Sequence, residues 1–171
     1  MQPRPTPVPP SDRINVAELR DVGLFGGLSD EALQQLATSL KILKRGTDEM
    51  IFSEGDQARE FYVLLRGEVE IFKALKGGAE ARLATLSPGH WFGEMSVLDV
   101  HPRSASVRAL SSCRLLVMTA RDLDALYRRD LKAYTLVVLN VARELARRLR
   151  LVDELVADFI GSVRNQHIGY G

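Results

Sequence analysis

After Lys41 the hydrophobic period of the chain changes, and this change limits the folds open to it. Up to that point apolar residues recur every three or four positions. From there to about residue 118 they fall into short runs, at 41–44, 49–52, 61–65, 68–73, 82–86, 105–109 and 114–118. Each run ends in a turn signal: Gly46, Gly55-Asp56, Arg66-Gly67, Gly77-Gly78, Ser87-Pro88-Gly89 or Ser111-Ser112. In Glu68-Val69-Glu70-Ile71-Phe72 the alternation is that of a strand with one face buried. Many short strands with regular turns predict an all-β barrel or roll.

Helical patterns flank this block. Ser11 or Asp12 is read as the cap of a short helix ending at Leu19. Leu24-Phe25-Gly26-Gly27-Leu28 is a turn with apolar anchors. Ser29 caps a second helix, with Asp30 and Glu31 in the first turn, where negative charge suits the helix dipole. Thr119 is placed as the cap of a helix over 120–127. A long helix follows from about Leu131 to about Phe159. Val138, Leu145, Val152 and Phe159 repeat every seven residues along it, and so do Ala142, Leu149, Val156 and Val163. The interleaved sets form a seam fit for a partner helix. Leu151 and Leu155 lie off that seam and give the helix a second apolar stripe.

Composition narrows the function classes. A hydrophobic fraction of 46% supplies a real core, and a formal net charge of +1 gives no global attraction to nucleic acid or anionic membrane. Cys113 stands alone, so no internal disulfide forms and a reducing cytoplasm is the expected setting. No apolar run approaches the roughly 20 residues of a membrane span. Residues 1–10 hold five of the seven prolines and read as a disordered tail without the apolar core of a secretory signal. His90, His101 and His167 share no metal-ligand spacing, and no Gly-rich loop followed by Lys marks a triphosphate site. The chain is expected not to be an enzyme and to need no cofactor or metal.

The stretch from Trp91 to Val107 carries the chemistry. It reads as a turn, one helical turn, a loop and the start of a strand. Small residues there let backbone N–H groups approach an anion. Arg103 offers a planar fork of donors for a phosphodiester, and Glu94 an acceptor for a sugar hydroxyl. A phosphate fused to a ribose fits that set. The alternative is that Glu94 and Arg103 pair with each other.

At Phe92-Gly93-Glu94 and Arg103-Ser104-Ala105-Ser106 the chain resembles the cyclic nucleotide-binding domains of bacterial cAMP receptor proteins, cyclic-nucleotide-dependent kinases and cyclic-nucleotide-gated channels. The likeness runs from about Val22 to Phe159 and includes Phe52-Ser53-Glu54-Gly55-Asp56 and Phe61-Tyr62-Val63-Leu64-Leu65-Arg66-Gly67-Glu68-Val69. The resemblance implies a mainly β fold with flanking helices: a jelly-roll-like β-roll with N-terminal helices, a short phosphate-binding helix and a long C-terminal helix. It divides the chain into a tail (1–10), the roll with its N-terminal helices (11–128), a lid or dimerisation helix (129–163) and a frayed end (164–171). It implies that Glu94 accepts from the ribose 2′-OH and that Arg103 pairs with the cyclic phosphate. Backbone N–H groups of Met95, Ser96, Ser104 and Ala105 complete the anion nest, with Phe92 and Gly93 beside them.

In the cAMP receptor proteins a Thr-Ser pair on the long helix contacts adenine. Those positions fall here on Val152 and Asp153. Val152 neither donates nor accepts, and an ionised Asp153 only accepts, which suits guanine. The base is left between cAMP and cGMP, and Asp153 between ligand contact and a solvated charge. The implied protein is a cyclic mononucleotide sensor, a homodimer through its C-terminal helix with a protein effector. Rival readings are a ligand-independent interaction module and a DNA-binding regulator using Arg143, Arg147, Arg148 and Arg150. Beside Glu144, Asp153 and Glu154 those arginines read as a solvated face, and no recognition helix follows. No DNA binding by this chain alone is expected.

Overall fold

A computed structural model describes residues 13–168 of the chain, with side chains through Ser162. The proline-rich segment 1–10 lies outside the described residues. Helix α1 is Val16–Arg20, and its cap is Asn15 rather than Ser11 or Asp12. Asn15 accepts from the Ala17 N–H while Glu18 reaches back to the Asn15 N–H. This reciprocal arrangement satisfies donors that a lone serine would leave open. A 3₁₀ turn at Gly23–Phe25 leads to helix α2, Asp30–Ser39, capped by Ser29 as expected.

Eight strands follow: β1 Lys41–Arg45, β2 Met50–Phe52, β3 Glu60–Arg66, β4 Val69–Ala74, β5 Glu80–Leu86, β6 Trp91–Phe92, β7 Ser106–Ala109 and β8 Cys113–Thr119. They form two antiparallel four-stranded sheets, in the orders β1-β8-β3-β6 and β2-β7-β4-β5. The fold is thus the β-roll that the spacing predicts, with one added strand. The two-residue β6 is too short to show a period of two and reads as a turn in sequence.

One apolar cluster fills the roll, with Leu64, Val69, Phe92, Val107 and Leu115 buried in it. A second joins the outer face of the first sheet to the helices through Leu24, Phe25, Leu33, Leu116, Met118, Val137 and Val141. Gly67, at the hairpin between β3 and β4, has φ +90°, and a Cβ there would lie 2.5 Å from the Ser112 carbonyl oxygen.

Helix α4, Ala120–Arg129, takes its cap from Thr119, and helix α5 spans Leu131–Ile168. The helix therefore continues past Phe159 into the segment expected to fray. Its inner face is Ala133, Val137 and Val141. Asn140 fastens it to the N-terminal turn by donating to the carbonyls of Leu24 and Gly26, each at 3.0 Å. From Leu149 through Ser162 every residue is exposed. No helix among the described residues is long and apolar enough to cross a membrane.

Candidate functional site

The segment from Trp91 to Ala109 passes from one sheet to the other. β6 pairs with β3 in the first sheet, through Tyr62↔Phe92 and Val63↔Trp91. β7 lies in the second, against β2 and β4. Between them come Gly93, Glu94, helix α3 (Met95–Leu98) and a loop. The loop is pinned by its main chain: the Arg103 N–H donates to the Asp56 carbonyl, and the Gly55 N–H donates to the Arg103 carbonyl, both at 2.9 Å.

This crossing turns the Arg103 side chain inward, leaving it 1% exposed. Nη1 donates to the Gly93 carbonyl at 2.9 Å, and Nη2 donates to Glu60 Oε1 at 3.3 Å. The guanidinium carbon lies 4.0 Å from the centre of the Phe52 ring. Phe52, Tyr62 and Phe92 form an aromatic cluster beneath it, with centroid separations of 5.6–6.0 Å. Nε has no partner among the described residues. Burial draws the Arg103 pKa down, while Tyr62, Glu60 and Asp56 push it up.

Gly93 has φ +83°, and a Cβ there would stand 2.6 Å from Arg103 Nη1. The residue gives room to the arginine itself. Gly93→Ala combines left-handed backbone strain of about 1–2 kcal/mol with a displaced Arg103. We expect it to lower stability in urea by about 2 kcal/mol and to weaken anion binding at the same site.

Glu94, next to Gly93, is buried and tied to α5. Its Oε1 accepts from Arg148 Nη1 at 3.0 Å. Arg148 also donates from Nη2 to the Trp91 carbonyl at 2.8 Å and from Nε to Glu144 Oε1 at 3.2 Å. Glu94 Oε2 has no partner among the described residues. Burial raises the Glu94 pKa, and the Arg148 charge opposes that rise. Glu94 and Arg103 do not pair with each other. The other buried acid, Glu70, is different: Arg82 holds one of its oxygens and Arg108 the other, and the Arg108 hydrogen bonds chiefly keep its pKa low. Glu70 is a completed structural ion cluster, whereas Glu94 and Arg103 each keep one buried polar atom free for something else.

Of the residues predicted for the site, Gly93, Glu94 and Arg103 come together. Phe92 is there as part of the aromatic floor. Ser96 and Ala105 are buried beside them, and Met95 and Ser104 are exposed. Val152 and Asp153 are not brought to the site within one chain. Both are exposed, and Val152 stands one helical turn, about 6 Å, beyond Arg148 on the same face. Arg148 itself corrects the reading of the arginine cluster as wholly solvated: it is 32% exposed and locks α5 to the pocket. Glu60, Phe52 and Tyr62 also belong to the site, and no local motif in the sequence marks them for it.

The model of the family described as cyclic nucleotide-binding domain matches residues 43–130, from within β1 to Asp130, whose side chain caps the start of α5. The chain belongs to that family. It is 39% identical over 130 residues to the cyclic AMP receptor protein of Thermus thermophilus, covering 76% of this chain and 58% of that protein. A crystal structure of a cyclic nucleotide-binding domain from Methylobacillus flagellatus superposes with a TM-score of 0.74 at 26% identity, covering 84% of this chain and 81% of that one. The regulatory domain of Toxoplasma gondii PKA, solved with cAMP, gives 0.58 at 27% identity, covering 64% of this chain and 42% of that one. The chain spans less than two thirds of the length of the first curated relatives, 58% and 62%. This β-roll family matches the resemblance carried by Gly93-Glu94 and Arg103-Ser104-Ala105.

Proposed function

We propose that the chain is a non-enzymatic cytoplasmic sensor of a cyclic mononucleotide that passes binding on through α5. The observation that carries this reading is that, of the three buried side-chain atoms without a partner among the described residues, Arg103 Nε, Glu94 Oε2 and Trp91 Nε1, two belong to the arginine and the acid of this segment. A buried donor and acceptor without partners cost free energy that a ligand able to satisfy both would return. The phosphate oxygens of a cyclic nucleotide accept from Arg103, and its ribose 2′-OH donates to Glu94. Backbone N–H groups of Met95, Ser96, Ser104 and Ala105 complete the anion contacts.

Glu94 already shares its other oxygen with Arg148. A sugar hydroxyl on Oε2 therefore bears on the same carboxylate that anchors α5. The ligand shifts the helix only to the extent that it binds one helix position more tightly, and a coupling of about 1–3 kcal/mol corresponds to about 5–150-fold. The exposed Leu149, Val152, Val156 and Phe159 of the distal helix supply a dimer seam, or a face for a protein effector. The Toxoplasma neighbour was solved with cAMP and the Thermus relative is named a cyclic AMP receptor, which puts cAMP ahead of cGMP.

Calorimetry with cAMP, cGMP and a cyclic dinucleotide tests the reading. One cyclic mononucleotide should bind with a measurable heat and raise the melting temperature. Absence of both with all three ligands would sink it. Competition between cAMP and cGMP, repeated on Asp153→Ala, tells whether Asp153 reads the base: only a ligand-contacting aspartate changes the ratio.

A further inference from the structure

Arg103 meets a carboxylate of its own chain at the place where the phosphate would sit. An arginine presents two parallel N–H groups along its Nε/Nη2 edge, the geometry suited to a phosphate or carboxylate. In this structure Nη1 is committed to the Gly93 carbonyl and Nε is free, while Nη2 donates to Glu60 Oε1 at 3.3 Å. Glu60 is held in turn: Oε1 also accepts from the Tyr62 hydroxyl at 3.2 Å, and Oε2 accepts from the Arg59 N–H at 3.3 Å. Its side chain is 34% exposed, whereas that of Arg103 is 1% exposed. An anion taking the Nε/Nη2 edge must share Nη2 with Glu60 or push it outward, and in either case it stays within a few ångströms of the carboxylate. Asp56 adds a second negative charge felt at Arg103.

We propose that Glu60 is a specificity-determining residue: it sets a carboxylate beside the phosphate seat of Arg103, so that the site favours singly charged phosphodiesters and rejects doubly charged phosphomonoesters. The inference rests on the sensor reading above and adds the discrimination between a cyclic nucleotide and its 5′-monophosphate hydrolysis product. The charge count gives the reason. Arg103 and Glu60 together are neutral. A cyclic phosphodiester adds one negative charge, while a phosphomonoester, with a second pKa near 6, carries close to two at pH 7. Each added charge is repelled by the same nearby carboxylate. Beside a neutral residue the second charge would gain from Arg103; the Glu60 carboxylate opposes that gain, and at such separations its repulsion is worth about ten-fold in binding relative to a neutral side chain at position 60.

The test compares the full chain with its Glu60→Gln variant by calorimetry against cAMP and 5′-AMP. Glu60→Gln should tighten cAMP by a few-fold at most and 5′-AMP by about ten-fold more than that, narrowing the preference between them. The pH profile separates charge from shape. Between pH 7.5 and 5.5 the monoester loses most of its second charge. Its affinity relative to cAMP should therefore rise in the parent chain and fall in Glu60→Gln, where the Arg103 charge alone acts and favours the dianion, with Glu60→Asp restoring the parent profile. If Glu60→Gln weakens both nucleotides equally, or leaves their ratio and its pH dependence unchanged, Glu60 only props Arg103 and the inference falls while the sensor reading stands. If the parent chain takes no cyclic nucleotide, the sensor reading falls and this inference with it.

Discussion

Arg103→Ala should weaken cyclic nucleotide binding by at least about ten-fold while leaving the chain folded. A hydrogen bond to a charged group contributes about 1.5–3 kcal/mol, and each 1.4 kcal/mol is ten-fold in affinity. The Nε/Nη2 edge provides two such bonds to a phosphate. The fold should tolerate the loss because a buried guanidinium is costly to desolvate. Among the described residues its side-chain partners are the Gly93 carbonyl, Glu60 and the rings of Phe52 and Tyr62, so removing it trades lost contacts against a relieved burial cost. Calorimetry gives the affinity and a urea midpoint gives the stability. Arg103→Lys should recover only part of the binding, since an ammonium lacks the planar fork. An Arg103→Ala chain that binds cyclic nucleotide as tightly as the parent would remove the phosphate from this position.

Arg148→Met should destabilise the chain by about 2 kcal/mol near pH 8, and by much less near pH 5. Arg148 is the hydrogen-bond partner of the buried Glu94 and also holds the Trp91 carbonyl. Without it, an ionised Glu94 is left unpaired among apolar neighbours. Burial already raises the Glu94 pKa in the folded chain above its unfolded value, against the pull of Arg148. The sign follows from proton linkage: where the folded state binds the proton more tightly, stability is greatest below the unfolded pKa and is lost as pH rises through the folded one. Removing Arg148 lifts the folded pKa further and enlarges the loss at high pH. Urea denaturation of parent and variant at both pH values reads the difference. The double variant Glu94→Gln/Arg148→Met should recover stability at pH 8, because the unpaired charge is gone. Equal stability of parent and Arg148→Met across the range would mean that the Arg148 hydrogen bonds contribute nothing in solution.

The two arginines differ in how far they can be read from sequence. Arg103 lies nine residues after Glu94 in a loop between recognisable strands, so local pattern alone brings both to one place. Arg148 lies 54 residues from Glu94, among other arginines and acids on a helix whose pattern is that of a solvated face. Only the docking of α5 through Asn140 and Val141 turns Arg148 toward the roll. Glu60 is similar: it opens a strand, and nothing local separates it from Glu68 or Glu80. Its role appears only when β3 is laid beside β6 and the segment between the sheets folds Arg103 over Phe52.

The seam marked by Val138, Leu145, Val152 and Phe159 was legible as periodicity, but periodicity does not say what covers a face. Within one chain α5 packs Ala133, Val137 and Val141 against the roll, with Leu145 of the seam partly buried beside them. The distal half of the seam stays exposed.

By itself, then, the order of residues determined what depends on near neighbours. It set the strand-and-turn rhythm, the caps at Ser29 and Thr119, and the chemistry of Gly93, Glu94 and Arg103, because backbone propensity, capping and turn geometry act over a few residues. The tertiary structure alone decided which charges meet: Arg148 on Glu94, Glu60 on Arg103, and neither Glu94 nor Arg103 on the other. The energy of a buried charge depends on the groups that packing brings within a few ångströms, and separation along the chain does not specify them.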